Sequence, residues 1–549
     1  MLLLFHISII GVDIMNFNAL YNPFSSARTT AYGRRGMVAT SQPFAAEAGF
    51  EILKKGGNAV DAAIATAACL TVCEPTSNGI GGDAFATVWF NGKLHGLNAS
   101  GPSPKGISIP ILKKAGYKQI PQFGWAPVNI PGIPAAWASL SEKFGKMPFE
   151  KLLEPAIRYA EEGFPITPTV GKFWRKAYEL YKRNLTDEKF KYWFDTFAPE
   201  GRAPRIGEMF TLRDHAKTLK IIAETKSEAF YRGELAEKID DFSRKTGGYI
   251  RKEDLEKYHA EWVKPISINY RGYDVCEIPP NGQGITALIA LNILKGFEFN
   301  EKNSVDTYHK QMEAVKLAFE DTLRYVTDRN KMTIKIEDLL SDAYADEKRK
   351  KIKETAFMPE PSKNPKGGTV YLATADGYGN MVSYIQSNYM DFGSGLVVPG
   401  TGIALHNRGK NFSFDPNHAN ALEPEKKPYH TIIPGFLMKN GKAVGPFGIM
   451  GAFMQPQAHV QVLMNCIDFN LNPQAALDAP RWMWSEKKNI SIEHAFPQYL
   501  AKALYDKGHK ISYALDETDF GRGQIIWRDE NGVLSGGTDW RTDGTIYAW

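Results

Sequence analysis

Apolar positions in the first hundred residues repeat at the helical spacing and then at the strand spacing. Residues 43–55 (PFAAEAGFEILKK) keep a helical period, carry basic residues in the last turn and stop at Gly56-Gly57, which predicts a helix. Residues 58–68 (NAVDAAIATAA) are small and apolar nearly all round, the pattern of a helix buried against others at close backbone approach. Glycines break the pattern over residues 74–83 (EPTSNGIGGD), after which residues 84–90 and 93–97 flank Asn91-Gly92 and predict a hairpin. Residues 132–353 read as mostly helical, with interruptions at Pro155, Pro165, Pro168, Pro199, Pro204 and the turn at 279–284. Residues 353–368, rich in Pro, Lys and Gly, read as an exposed linker. Beyond it the texture turns to strands, at 370–375 and 381–385 around the turn 376–380, and at 429–438 and 442–447 around Asn440-Gly441. A helix is predicted from near Met454 to about Phe469. Strands on both sides of a helix-rich middle, with no internal repeat and no long tether, predict α+β layers.

Composition narrows the class. The chain has 549 residues, 43% hydrophobic and 23% charged, which is that of a soluble globular protein with ample capacity for a core. Length alone allows roughly two to four domains. Net charge is +5 and the sequence pI about 8.6, without a dense basic run interleaved with aromatics, so nucleic acid is not an expected partner. Cys69 and Cys73 stand at helical i, i+4 spacing in an Ala-rich stretch and read as core packing, Cys276 and Cys466 stand far apart, and no His lies at zinc-ligand spacing from them. No metal and no organic cofactor is expected. At the N-terminus the apolar run at residues 2–10 lacks a basic flank, is interrupted by His6 and is followed by Asp13 rather than a small-residue cleavage site. The expectation is a cytoplasmic protein with no membrane association, and Met15 is an equal candidate for the start. No other segment approaches the roughly 18 to 20 apolar residues of a membrane-spanning helix.

The chemistry concentrates at Gly367-Gly368-Thr369, where a strand opens directly after two glycines. Were the bond before Thr369 broken, that residue would carry a hydroxyl nucleophile and a free α-amine as its own general base. An α-amine titrates at about 7.7–8.0, close to working pH, whereas a Lys at about 10.4 needs a large shift first. The competing reading is an ordinary hairpin in which Thr369 is only a strand residue.

A series of segments in fixed order decides between them. They include residues 36–85 (GMVATSQPFAAEAGFEILKKGGNAVDAAIATAACLTVCEPTSNGIGGDAF), IPGIPAAWASL, EPAIRYAEEGFPI, YRGYDVCEIPPNGQGITALIALNIL and HKQMEAVKLAFEDTLRYVTD. After Thr369 come FGSGLVVPGTGIALHNRG, the long GFLMKNGKAVGPFGIMGAFMQPQ stretch through residue 482, and GGTDWRTDG. From about Arg34 to the end the chain resembles the γ-glutamyltranspeptidase family of N-terminal nucleophile hydrolases. The resemblance implies a four-layer αββα sandwich and a precursor that cuts itself before Thr369. Residues 1–33 would be a tail, 34–368 a helix-rich large chain and 369–549 a small chain. The two would stay associated as a heterodimer in one globular unit, with further oligomerisation open. It also implies attack by Thr369 on a small-molecule amide and transfer of the acyl group from an acyl-enzyme to water or an amine.

The same resemblance places the remaining site residues. Ser387, on the partner strand, stands where the family has a hydroxyl beside the nucleophile; its alternative is an outward strand serine. Gly451 and Ala452 match the family's oxyanion glycine pair, and the alanine keeps the N–H. The acyl pocket departs from the pattern. Ser100 stands about where the family has an Arg for the substrate α-carboxylate, Tyr389 where it has an Asn, Asn411 near its acidic residue, and His430-Thr431 where it has two serines. Losing both ionic partners removes the charge-assisted bonds that select an amino-acid head group. Arg408 is the candidate replacement cation or else a solvated loop charge, and Tyr429 or His430 could reshape the pocket or be half-buried bystanders. The reading is a self-processing threonine amidohydrolase or acyltransferase, gamma-glutamyltransferase-like, acting on γ-glutamyl or related acyl amides. The alternatives are an acylase of altered side-chain specificity and a processing-defective binding relative.

Overall fold

The structure is a computed structural model and describes Leu20, residues 28–359 and residues 368–549. The apolar N-terminal run, both candidate start positions and residues 360–367 of the linker before Thr369 lie outside the described residues.

Two antiparallel seven-stranded sheets form the centre. The first runs Ala31–Gly33, Leu534–Thr538, Arg522–Arg528, Lys442–Met450, Gly435–Lys439, Tyr273–Glu277, Ile266–Tyr270. The second runs Thr545–Ala548, Gly36–Thr40, Gly368–Asp376, Met381–Tyr389, Asp83–Phe90, Lys93–Ala99, Glu261–Val263. Strand alternation sorts their side chains into layers. Tyr371, Ala373, Met381 and Ile385 meet Phe436, Met450 and Ile526 in the space between the sheets. Val370, Leu372, Val382 and Tyr384 face outward onto the helices Pro43–Lys54, Ala59–Cys73, Ile133–Phe144 and Phe149–Glu162. On the opposite outer face, Leu437, Phe447, Ile449 and Ile525 pack on Gly284–Leu294, Val305–Tyr325 and Met454–Ile467. The result is the expected αββα sandwich. Gly448 lets the sheets approach: a Cβ there would lie 2.3 Å from the Tyr371 ring.

The local patterns hold where they were strongest. Ala59–Cys73 is buried on every side and capped by Asn58 with Asp61, and both Asn-Gly turns adopt the left-handed backbone that two-residue hairpins need. Three expectations need adjusting. The middle is mostly helical, as expected, but also contains the strands Glu261–Val263, Ile266–Tyr270 and Tyr273–Glu277, two of them joined at Arg271-Gly272. Pro155 lies inside the helix Phe149–Glu162 rather than ending it. Residues 429–434 precede the strand Gly435–Lys439 and form no ladder. Their polar groups are taken instead by the turn before Gly284–Leu294: His430 N–H donates to Asn281 O at 2.9 Å and Gln283 N–H to His430 O at 2.9 Å. Among the described residues, no helix is long and apolar enough to cross a membrane.

Candidate active site

Gly368–Asp376 lies in mid-sheet, between Gly36–Thr40 and Met381–Tyr389. Its pairing with the latter is regular from Ala375↔Met381 to Val370↔Gln386 and then shifts, so that Gly368 faces Tyr389 and two residues, Ser387 and Asn388, stand opposite Thr369. Such a bulge re-aims side chains. Here it places Ser387 Oγ 3.2 Å from Thr369 Oγ1. Both hydroxyls lie 2.7 Å from the Gly368 carbonyl oxygen, and Ser387 Oγ also accepts the Tyr389 N–H at 2.7 Å. A carbonyl oxygen has two lone pairs, so it can take both donors. Thr369 and Ser387 are buried, which rules out the outward-facing reading of Ser387.

Gly451 and Ala452 end the strand Lys442–Met450 and lead into the helix Met454–Ile467. Gly451 has φ 144° and Ala452 φ 51°, the latter a left-handed conformation that costs an alanine about 1–2 kcal/mol. The turn is fixed by Gln283, fully buried, whose Nε2 donates to Ala452 O at 2.8 Å and to Thr431 O at 2.5 Å and whose Oε1 accepts from Tyr429 OH at 3.1 Å. Gln283 thus ties the oxyanion candidate to the His430-Thr431 segment.

The head-group candidates converge on a residue not singled out from sequence, Asp83, the cross-strand neighbour of Ser387. Arg408 is no surface charge: it is fully buried and pairs with both oxygens of Asp83, Nε to Oδ2 at 2.9 Å and Nη2 to Oδ1 at 3.2 Å. Its Nη1 donates to Thr431 Oγ1 at 2.7 Å, and its guanidinium lies 4.5 Å over the Tyr389 ring. His430, also fully buried, is 2.7 Å from Asp83 Oδ2 through Nε2. Burial by itself would raise the Asp83 pKa, but Arg408, then His430 and His406, outweigh it and hold the carboxyl well below its ordinary range. Burial, then the charge of Arg408, pushes His430 down to about 4 against the pull of Asp83, so its imidazole is neutral at pH 7. The proton therefore sits on Nε2, and Nδ1 accepts the Ile432 N–H at 3.3 Å.

Ser100 and Asn411 bring no charge. Ser100 Oγ donates to Asn98 Oδ1 at 2.7 Å and accepts from Asn281 Nδ2 at 3.3 Å, an uncharged network that reaches His430 only through the Asn281 carbonyl. Asn411 Oδ1 accepts the Tyr389 hydroxyl and Asn411 Nδ2 donates to Tyr429 O at 3.1 Å. All six head-group candidates thus lie in one connected neighbourhood. Its two full charges, on Asp83 and Arg408, neutralise each other.

A cavity of about 280 Å³ opens beside the scissile position. Gly368 and Gly451 both line it, with Thr76, Ser77 and Arg522 nearby, and none of the six head-group candidates does.

Among the described residues, His309, Glu313 and His509 form the one group whose spacing would suit a metal. The place of a cation there is taken by Lys316, whose ammonium lies 2.5 Å from Glu313 Oε1. Lys316 also donates to Phe357 O at 2.8 Å, Glu313 accepts the Phe357 N–H at 2.8 Å, and His309 contacts the Lys353 carbonyl at 2.7 Å. The cluster reads as the anchor of residues 353–357.

Asp83, Gln283 and His406 carry no spacing signal, because their partners lie far away in sequence; only the GIGGDAF and NGQG strings around the first two hinted at them.

The sequence profile of the gamma-glutamyltranspeptidase family matches residues 45–549. The "Glutathione hydrolase-like YwrD proenzyme" of Bacillus subtilis (strain 168) is 36% identical over 524 residues, covering 93% of this chain and 98% of that one. The "Acylase ACY 1 proenzyme" of Pseudomonas sp. (strain SE83) is 31% identical over 546 residues, covering 96% and 95%. The crystal structure of cephalosporin acylase from Bacillus halodurans superimposes with a TM-score of 0.95 at 61% identity, covering 97% of this chain and 99% of that one.

Proposed function

The chain belongs to the gamma-glutamyltranspeptidase family, and from that premise we propose that Thr369 is the nucleophile both of self-cleavage and of acyl-amide turnover. Membership makes it an N-terminal nucleophile enzyme acting on γ-glutamyl or related acyl amides. The observation that carries the assignment is the pair of hydroxyls, Thr369 Oγ1 and Ser387 Oγ, at the Gly368 carbonyl.

In the precursor, Thr369 Oγ1 attacks the Gly368 carbonyl carbon and the C–N bond breaks, giving an ester and a free Thr369 amine. Water then hydrolyses the ester, leaving a Gly368 carboxylate on the large chain and a free hydroxyl and amine on Thr369. In turnover the amine takes the hydroxyl proton as Oγ1 attacks the substrate amide. The leaving amine departs with a proton, and water or a second amine takes the acyl group. In self-cleavage the negative oxygen is the Gly368 oxygen, to which Ser387 Oγ donates; in turnover it falls to the N–H groups of Gly451 and Ala452 at the start of a helix, where positive potential favours it.

Ser387 polarises the scissile carbonyl in the first step and orients Oγ1 in the second. Ser387→Ala is expected to slow self-cleavage by about 10²–10³-fold, the worth of one donor on a developing oxyanion. A time course on denaturing gels measures it, and a wild-type rate would return Ser387 to an ordinary strand residue.

The head-group candidates line no part of the cavity beside Gly368, so they offer a charged head group no open partner there. A γ-glutamyl donor brings an ammonium and a carboxylate, and each needs a partner or continued hydration. Here Arg408 is already neutralised by Asp83, while Ser100 and Asn411 sit in uncharged networks. γ-Glutamyl amides are therefore expected to bind weakly, and acyl amides with a less charged head to react comparably or better. Cleaved protein assayed on γ-glutamyl-p-nitroanilide, glutathione and uncharged acyl amides tests this; a clear γ-glutamyl preference would overturn the assignment of this cluster as the head-group site.

A further inference from the structure

The cavity beside Gly451 has a use that the chemistry at Thr369 does not exhaust. At about 280 Å³ it is near the lower edge of small-molecule sites, roughly 300–1,000 Å³, and suits a short group. Phe173, Met390, Met454 and Trp484 give it apolar walls, and Arg522 and Lys176 bring cations to it. Arg522 stands directly across the sheet from Met450, the residue before Gly451.

Arg522 is held as a recognition group is held. It is 4% exposed. Its Nη1 is 3.2 Å from Glu74 Oε1, its Nε donates to Met450 Sδ at 3.1 Å, and its guanidinium lies 4.9 Å over the Phe173 ring. Glu74 is fixed in turn by Ser41 Oγ, which donates to Oε2 at 2.5 Å. Among the described residues these contacts immobilise a planar fork of five donors through two of its nitrogens, Nη1 and Nε, and the residue lines the cavity. Glu74 offsets the charge of Arg522, and Asp391 and Asp519 also line the space, so the summed field does not favour an anion. Directed bonds from Arg522 would have to do so.

We propose that this cavity is a subsite for a carboxylate carried by the amide substrate, bound at Arg522, with a short apolar spacer along Phe173, Met454 and Trp484. The proposal rests on Thr369 as the nucleophile, because Gly368, the residue before it, lines the cavity. A carboxylate on the acyl group and one on the leaving amine offer Arg522 the same chemistry, and the experiment separates them.

Cleaved protein is assayed on glutaryl-p-nitroanilide, on its neutral methyl ester, and on an uncharged acyl amide of 3-carboxy-4-nitroaniline beside the matching p-nitroanilide. The variants are Arg522→Lys, Arg522→Gln and the double variant Glu74→Gln/Arg522→Gln, which leaves no lone buried carboxylate if the single change fails to fold. For one of the two pairs, the charged-to-neutral ratio of kcat/KM is expected to fall about 10- to 100-fold in the Gln variants, through KM, as charge-assisted bonds are lost. Arg522→Lys should fall less. The pair that responds locates the carboxylate; ratios unchanged in both pairs overturn the proposal.

Calorimetric titration of glutarate into the uncleavable Thr369→Ala chain, with and without the Glu74→Gln/Arg522→Gln change, reads the subsite without turnover. Binding that disappears with the change supports the subsite even if Thr369 proves not to be the nucleophile. No binding, or binding indifferent to Arg522, sinks the subsite and leaves the nucleophile assignment untouched.

Discussion

Thr369→Ala is expected to yield one folded chain of 549 residues that neither cuts itself nor turns over an acyl amide. Alanine keeps the strand Gly368–Asp376, whose pairing with Met381–Tyr389 and Gly36–Thr40 is through the backbone, so the fold should survive. What disappears is the hydroxyl assigned as nucleophile, one of the two beside the Gly368 carbonyl, and with it both the ester of self-cleavage and the acyl-enzyme. Loss of turnover should be on the order of 10⁶-fold, the scale of removing a serine nucleophile. Thr369→Ser keeps the oxygen and should still process, more slowly, because serine lacks the methyl that restricts the rotamer. Intact mass and an amide assay measure both variants. Two fragments from the alanine variant, or appreciable activity in it, would remove Thr369 from the mechanism.

How far the sequence foretold this depends on the range of the signal. The helix Ala59–Cys73 and the hairpins at Asn91-Gly92 and Asn440-Gly441 were legible because period and turn chemistry act within a few residues. The strands Glu261–Val263, Ile266–Tyr270 and Tyr273–Glu277 are short and sit among helices, so their alternation was outvoted by their surroundings. Thr369, Ser387, Gly451 and Ala452 came from family resemblance, and spacing alone left Thr369 as an ordinary strand residue. The head-group cluster was the least legible part. Asp83 and Arg408 are 325 positions apart, and a loop arginine reads as solvated until a buried carboxylate is found for it. Burial of such a charge is costly unless paired, so the pairing is something a three-dimensional structure supplies and a local pattern does not.

That pairing leads to the second large expectation. Asp83→Asn should destabilise the protein by about 3–5 kcal/mol at neutral pH, because it leaves the buried Arg408 guanidinium without its counter-ion. Measuring in the Thr369→Ala background gives a single uncleaved chain and a better defined unfolding transition than a heterodimer. Adding Arg408→Gln should recover a large part of the loss, since a neutral pair replaces a lone charge, and this non-additivity distinguishes ion pairing from lost packing. The pH dependence follows from the sign of the shift. Asp83 has a folded pKa below the unfolded value of about 3.9. Its contribution is therefore present in full above the unfolded pKa and is lost as the pH falls from there toward the folded one. The stability gap between parent and Asp83→Asn should accordingly hold steady from pH 7 to about 5 and narrow below about 4. Urea midpoints across that range decide it. A gap under about 1 kcal/mol at pH 7, or one that does not close in acid, would mean that Arg408 finds another partner and that Asp83 does not organise the head-group site.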